Sequence, residues 1–229
     1  MTKIRQMLEM QQQLNDATGG IGWEKGYTNK GKRIDWQRCI YLEAAELVDS
    51  YPWKHWKNIN GTPDYDNIKI EIVDIWHFVM SEALRDYKVN QKGAIDKLTS
   101  DIIKVVNYQQ FTKDVKPLDE DIYKQIAWVE SFIKTLFTSE DVLTIIDAFF
   151  DMAYHLQVNL DILYRLYIGK NILNKFRQDH GYKEGKYIKQ WNGVEDNVVM
   201  QDTLEKQPDV TPEQLYEALE RVYAEVESA

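Results

Sequence analysis

Ile68-Lys69-Ile70-Glu71-Ile72-Val73-Asp74-Ile75-Trp76-His77-Phe78-Val79-Met80 is the stretch that decides the fold. It is apolar on nearly every side, yet it carries two acids three residues apart. A helix that is apolar all round is a buried one, so no broad polar face remains on which Glu71 and Asp74 can meet water. Spacing i, i+3 sets both carboxylates on one side of that helix. A second pair with the same spacing, Glu43-Ala44-Ala45-Glu46, sits between Ile40-Tyr41-Leu42 and Leu47-Val48.

Outward from these runs, helix breakers are rare. Prolines fall only at 52, 63, 117, 208 and 212, and no glycine lies between Gly93 and Gly169. Alternating apolar and polar runs of strand type are hard to find, so the chain reads as all-α. The expected helices cover about Lys3–Asn15, Asp35–Asp49, Asp66–Tyr87, Lys92–Thr112, Asp119–Phe137, Glu140–Asn159 and Ile162–Asp179. A glycine-rich loop follows the first, and Tyr51-Pro52 stops the second. Ser139 is the expected cap of the Glu140 helix. A last helix starts with Thr211 as cap, Pro212 at its first position and Gln214 completing a capping box. The stretch Gly181–Asp209 is polar and reads as a long functional loop. The architecture expected is one all-α domain over 1–229, a helical bundle with the acidic pairs on adjacent core helices. A helical subdomain at about 88–160 is set to move against that rigid core.

The chain has 229 residues, with 28 Lys+Arg against 37 Asp+Glu, a formal charge of −9. An acidic chain is a poor partner for nucleic acid or an anionic membrane, since both are polyanions. No stretch reaches the ~20 apolar residues of a membrane span, and the N-terminal residues hold no apolar leader run. One cysteine, Cys39, excludes an internal disulfide and a Cys-based zinc site. The cytosol is the default compartment.

A buried, unpaired carboxylate costs several kcal/mol or shifts its pKa until it neutralises. Four of them together repel one another, and a divalent cation removes that repulsion. All-oxygen ligands favour Mg²⁺ or Mn²⁺. The plain alternative is that each acid pairs with a surface Lys or Arg. For one such motif the plain reading wins; for two, on apolar helices joined by a loop, the metal reading leads. A di-iron bundle needs Glu-x-x-His twice on its helices. Asp74-x-x-His77 approximates one such motif, and Asp151 with His155 has the wrong spacing for a second. His77 alone reads as a core side chain close to the site.

From Arg165 to Trp191 there are seven cations and two acids, a net +5 that leaves −14 for the remainder. Cations clustered in an acidic chain suit a phosphate, although a solvated helix face has the same composition. Asn171, Asn174, Tyr182, Tyr187, Asn192 and Asn197 lie among or just beyond them, and each Asn offers the paired donor and acceptor a base edge requires. The loop Trp53-Lys54-His55-Trp56-Lys57 adds aromatic faces able to stack a base. Carboxylates for metal and cations for phosphate together describe metal-assisted phosphoanhydride hydrolysis, with a metal-bound water as nucleophile.

The blocks Glu43-Ala-Ala-Glu46-Leu-Val-Asp-Ser-Tyr-Pro-Trp-Lys-His-Trp-Lys-Asn-Ile-Asn60 and Ile70-Glu71-Ile-Val-Asp74-Ile-Trp-His77-Phe carry a resemblance. So do Leu173-Asn174, Arg177-Gln178, Gly181-Tyr182-Lys183, Gly185-Lys-Tyr187, Lys189 and Asn192-Gly-Val-Glu-Asp-Asn197. The chain resembles the dimeric all-α deoxyuridine triphosphatases (dUTPases), within the all-α nucleotide pyrophosphohydrolase superfamily. The resemblance implies hydrolysis of dUTP to dUMP and pyrophosphate, acceptance of dUDP, and a homodimer. It implies that Glu43, Glu46, Glu71 and Asp74 hold Mg²⁺, more than one ion, with Mn²⁺ as substitute. It gives catalysis to Glu46 and Glu43, with Glu46 orienting or deprotonating the attacking water. Gln11, Trp56 and Asn174 would contact uracil, and His77 the deoxyribose. Lys57, Arg177, Tyr182, Lys189 and Asn197 would contact phosphates. A pyrophosphohydrolase of broader specificity, a di-iron bundle and a non-enzymatic helical binding module are the competing readings.

Overall fold

A computed structural model describes residues 2–57, 60–207 and 210–227. The helices are α1 Lys3–Gly19, α2 Trp36–Asp49, α3 Tyr65–Val89, α4 Ile95–Ile102, α5 Tyr108–Phe111, α6 Ile122–Thr138, α7 Val142–His155, α8 Leu160–Asp179, α9 Asp196–Lys206 and α10 Pro212–Glu227. Among the described residues, strand pairing is limited to a two-residue hairpin, β1 Gln190–Trp191 against β2 Val194–Glu195, and an isolated bridge between Tyr27 and Arg33. The all-α reading therefore holds. The chain divides into two compact units, Met1–Leu163 and Tyr164–Ala229, and the residues at about 88–160 fall inside the first.

In the first unit α2 packs along α3, α6 pairs with α7, and α3 also meets α1 and α7. The apolar run of residues 68–80 explains why α3 is central: Ile68, Ile70, Ile72, Val73, Ile75, Trp76, Val79 and Met80 are all buried. Trp76 stacks on Phe149 at 4.9 Å, and Phe150 stacks on Phe111 at 4.5 Å. Full burial of side chains this large is worth about 2–3 kcal/mol each.

Caps define the helix ends. The Asp35 carboxylate accepts from the Arg38 N–H at 3.0 Å, and Asp64 accepts from the Asn67 N–H at 3.0 Å. The cap of α7 is Asp141, which accepts from the Leu143 and Thr144 N–H groups, whereas Ser139 ends α6. The expected cap is thus displaced by two residues, because a carboxylate serves the positive helix end better than a hydroxyl. The capping box at α10 forms as expected: Thr211 Oγ1 accepts from the Gln214 N–H at 3.3 Å, and the Thr211 N–H donates to Gln214 Oε1 at 3.0 Å.

Two further expectations fail. The single helix expected at 92–112 is broken into α4 and α5. The Asn107 N–H, which would continue that helix, instead donates to Asp147 Oδ1 on α7 at 2.7 Å, and Asn107 Nδ2 donates to Asp147 Oδ2 at 3.0 Å. A tertiary contact outbids the local ladder there. The supposed loop 181–209 contains a hairpin and α9. Its turn is Asn192-Gly193, both at positive φ (52° and 88°), the backbone of a type I′ hairpin turn.

The second unit closes over an aromatic core of Phe176, His180, Tyr187, Trp191 and Tyr223; Tyr187 stacks on Tyr223 at 5.3 Å. Gly169 permits close packing of α8 and α9. A Cβ at that position would meet Leu204 Cδ1 and Met200 Sδ at 2.7 Å.

Candidate active site

Acidic pairs on two packed helices need the helix ends locked before they form one site. The Asp64 N–H donates to the Ser50 carbonyl at 2.9 Å, which joins the end of α2 to the start of α3. Asn67 Nδ2 then bridges both helices, donating to Ser50 Oγ at 2.8 Å and to Glu71 Oε1 at 3.1 Å. In that frame one carboxylate oxygen from each of Glu43, Glu46 and Glu71 lies within 4.8 Å of the others. Glu71 is 7% exposed, Glu43 half-buried and Glu46 exposed. Asp74 is half-buried one turn further along α3 and is not a member of this trio. A cleft of about 500 Å³ opens beside it, lined by Glu46, Asp49, Ser50, Asp64, Asn67 and Glu71.

Three carboxylates at that separation repel one another unless a cation lies between them, and their hard oxygen donors fit a divalent ion. A neutral amide, Asn67, orients Glu71 without consuming its charge, the usual office of a residue just outside a metal's ligands. For Cys39, one turn before Glu43, burial pushes the thiol pKa up and the Glu43 and Asp35 charges push it further, which favours the neutral thiol.

Gln11 and His77 meet in the interior between α1 and α3. His77 Nδ1 lies 2.7 Å from Gln11 Oε1, so the ring nitrogen donates to the amide oxygen. Gln11 Nε2 donates to Asn15 Oδ1 at 3.0 Å and to Ser81 Oγ at 3.1 Å, and Ser81 Oγ donates to the His77 carbonyl at 2.8 Å. Of the three adjacent glutamines only Gln11, at 2% exposure, is buried. Asn15 and Ser81 were not legible as members of this cluster, although Asn15 lies one turn after Gln11.

Trp56 is 63% exposed on the loop after α2, with its ring edge-on to Trp53 at 5.6 Å and to His55 at 4.8 Å. Lys57 is exposed beside it; Asn58 and Ile59 of the same motif lie outside the described residues.

In the second unit Asn174, Arg177, Tyr182 and Asn197 come together. The Arg177 guanidinium is bidentate to Asp196, Nε to Oδ2 and Nη2 to Oδ1 at 2.8 Å each. Its Nη1 donates to Asn174 Oδ1 at 3.3 Å, its Nη2 to Asn197 Oδ1 at 3.4 Å, and it stands 6.0 Å from the Tyr182 ring centre. Burial alone would raise the Asp196 pKa, but the Arg177 cation and the Tyr187 hydroxyl, 2.7 Å away, outweigh it and hold the carboxyl below its ordinary value. Burial, then Asp196, push the Tyr187 phenol up. Lys189 pairs with Glu195 across the hairpin at 3.3 Å. No local pattern in the sequence announces Asp196 as the partner of Arg177, 19 residues away.

A dUTPase family profile matches residues 3–182. The chain belongs to the all-α dUTPase family. The match takes in α1, both acidic pairs, the Trp56 loop and α8 through Tyr182, while Lys189 and Asn197 of this dUTPase lie beyond it. Its activity is dUTP hydrolysis. No curated protein matches the chain. Among the described residues, no helix is long and apolar enough to cross a membrane.

Proposed function

We propose that this dUTPase is Mg²⁺-dependent, that it converts dUTP to dUMP and pyrophosphate, and that it takes dUDP to dUMP and phosphate. The observation that carries the proposal is the convergence of Glu43, Glu46 and Glu71 within 4.8 Å at the junction of α2 and α3. Glu43, Glu46 and Glu71 hold the cations, more than one ion, and Asp74 joins them from the next turn of α3. Bound there, Mg²⁺ supplies a water of lowered pKa and polarises the phosphoryl oxygens.

The chain's own residues do the rest. Glu46, the most accessible of the three, orients the attacking water and takes its proton, with Glu43 in support. The water oxygen bonds to phosphorus, and the anhydride bond between dUMP and the departing pyrophosphate breaks. The Gln11 amide and Asn174 read the uracil edge, Trp56 lies against its face, and His77 meets the deoxyribose. Lys57, Arg177, Tyr182, Lys189 and Asn197 bind the phosphates, and the cations among them offset the charge that grows on the leaving group. The working form is a cytoplasmic homodimer. Its support is the family likeness and exposed apolar groups such as Leu42 and Phe137 on α2 and α6.

The test is product release from dUTP, dUDP, dCTP, dTTP and UTP, with EDTA and with Mg²⁺ or Mn²⁺ restored. Loss of turnover in EDTA, recovery with Mg²⁺ and selection of the deoxyuridine nucleotides are expected. Full activity in EDTA refutes the metal role, and indifference to the base refutes the roles of Gln11, Asn174 and Trp56. Sedimentation velocity reads the dimer.

A further inference from the structure

The second unit holds a lysine that the phosphate reading leaves unused. Lys170, on α8, is 3% exposed, and its ammonium donates to Asn197 Oδ1 at 2.9 Å. Arg177 Nη2 reaches the same oxygen at 3.4 Å. Two cationic donors therefore converge on one end of the Asn197 side chain. A carboxamide has an acceptor end and a donor end. Turning it over would set its NH₂ against two cations, donor to donor, in a partly buried place where such a mismatch is costly. The oxygen is thus fixed inward and the NH₂ outward. Arg177 is itself held in place: Asp196 is fully buried, grips the guanidinium with both carboxylate oxygens and receives the Tyr187 hydroxyl as well.

We propose that Lys170 and Asp196 are positioning residues that fix Asn197 with its NH₂ toward the nucleotide: Lys170 by direct contact with Oδ1, Asp196 by clamping Arg177. The proposal rests on the reading of Asn197 as a phosphate donor. A side chain with one end tied down offers the phosphate a donor already oriented, and loses little freedom when substrate arrives. Lys170 then acts on dUTP through Asn197.

The experiment is steady-state kinetics of the full-length enzyme on dUTP for Lys170→Met, Asn197→Ala, the double variant and Asn197→Asp, with thermal unfolding of each. Each of the first two raises KM about tenfold, the effect of one charge-assisted hydrogen bond, with kcat within about twofold. The double variant is no worse than the worse single one. Asn197→Asp keeps an oxygen for the two cations but turns a carboxylate outward, so its KM rises beyond that of Asn197→Ala while its Tm is at least as high. Multiplying effects in the double variant mean that Lys170 touches substrate directly and overturn the proposal alone. An unchanged KM in Asn197→Ala overturns it together with the phosphate role of Asn197. If Lys170→Met fails to fold, the order of Asn197→Asp against Asn197→Ala decides, and equal or better binding by the aspartate overturns the outward NH₂.

Discussion

The two polar clusters of this dUTPase are built on opposite plans. At the junction of α2 and α3, three carboxylates converge and a neutral amide, Asn67, steadies one of them. Beneath the hairpin of the second unit, the Arg177 cation is met by a carboxylate of its own, Asp196, and Tyr187 and Asn197 complete the set. The first concentrates one sign of charge, the arrangement that recruits an ion. The second cancels charge internally and invests it in holding side chains at fixed angles. The contrast teaches that charged residues of a motif can have opposite surroundings: Glu71 stands among like charges, whereas Arg177 stands against its counter-charge and braces its neighbours.

The largest effect expected is that of Glu71→Gln. It keeps the shape and the Asn67 contact while removing a charge, so turnover falls by at least about 10³-fold and the circular dichroism spectrum is unchanged. A near-normal rate breaks the comparison at its acidic end.

Next comes Asp196→Asn, which leaves Arg177 buried without its counter-charge and costs about 3–5 kcal/mol of stability, read by urea unfolding. The pH dependence carries a sign. The Asp196 pKa is depressed in the folded state, so its contribution is complete above the unfolded carboxylate value of about 3.9 and is lost as pH falls through the lower folded value. The stability gap between the parent and Asp196→Asn should therefore narrow in strong acid. A gap that stays constant to pH 2 removes the ion pair as its cause.

Asn67→Ala is a smaller perturbation. It unties Glu71 from Ser50 and should raise the Mg²⁺ concentration for half-maximal activity about tenfold, with the maximal rate nearly kept. An unaltered Mg²⁺ curve shows that Asn67 merely joins the helices. The smallest effect is that of Thr211→Ala at the α10 capping box, about 1 kcal/mol in thermal unfolding with catalysis untouched.

Much of this was legible from residue type and spacing. Acids inside an apolar run are conspicuous, and Glu43, Glu46 and Glu71 converge as their motifs imply. The capping box of α10 follows from Thr211, Pro212 and Gln214 alone. What escaped depends on contacts distant in sequence. Asn67 and Ser50 are ordinary polar residues until the Asp64 N–H meets the Ser50 carbonyl. At the break between α4 and α5 the Asn107 N–H is taken up by Asp147, 40 residues away. The hairpin has a local signal, Asn192-Gly193, but its flanks are polar and lack the apolar alternation that marks strands. In α9 three of the four apolar residues, Val198, Val199 and Met200, are consecutive and only Leu204 lies a turn on, so no helical period stands out.

The exposure of Trp56 has a spectroscopic consequence. Three of the seven tryptophans, Trp23, Trp76 and Trp191, are sealed from solvent, and Trp56 is the most exposed large aromatic of its loop. Its fluorescence should lie at the red edge of the emission and yield first to iodide quenching. A nucleotide base laid on that ring would shift the emission to the blue and shield it from the quencher, so the intact enzyme carries its own optical gauge of occupancy.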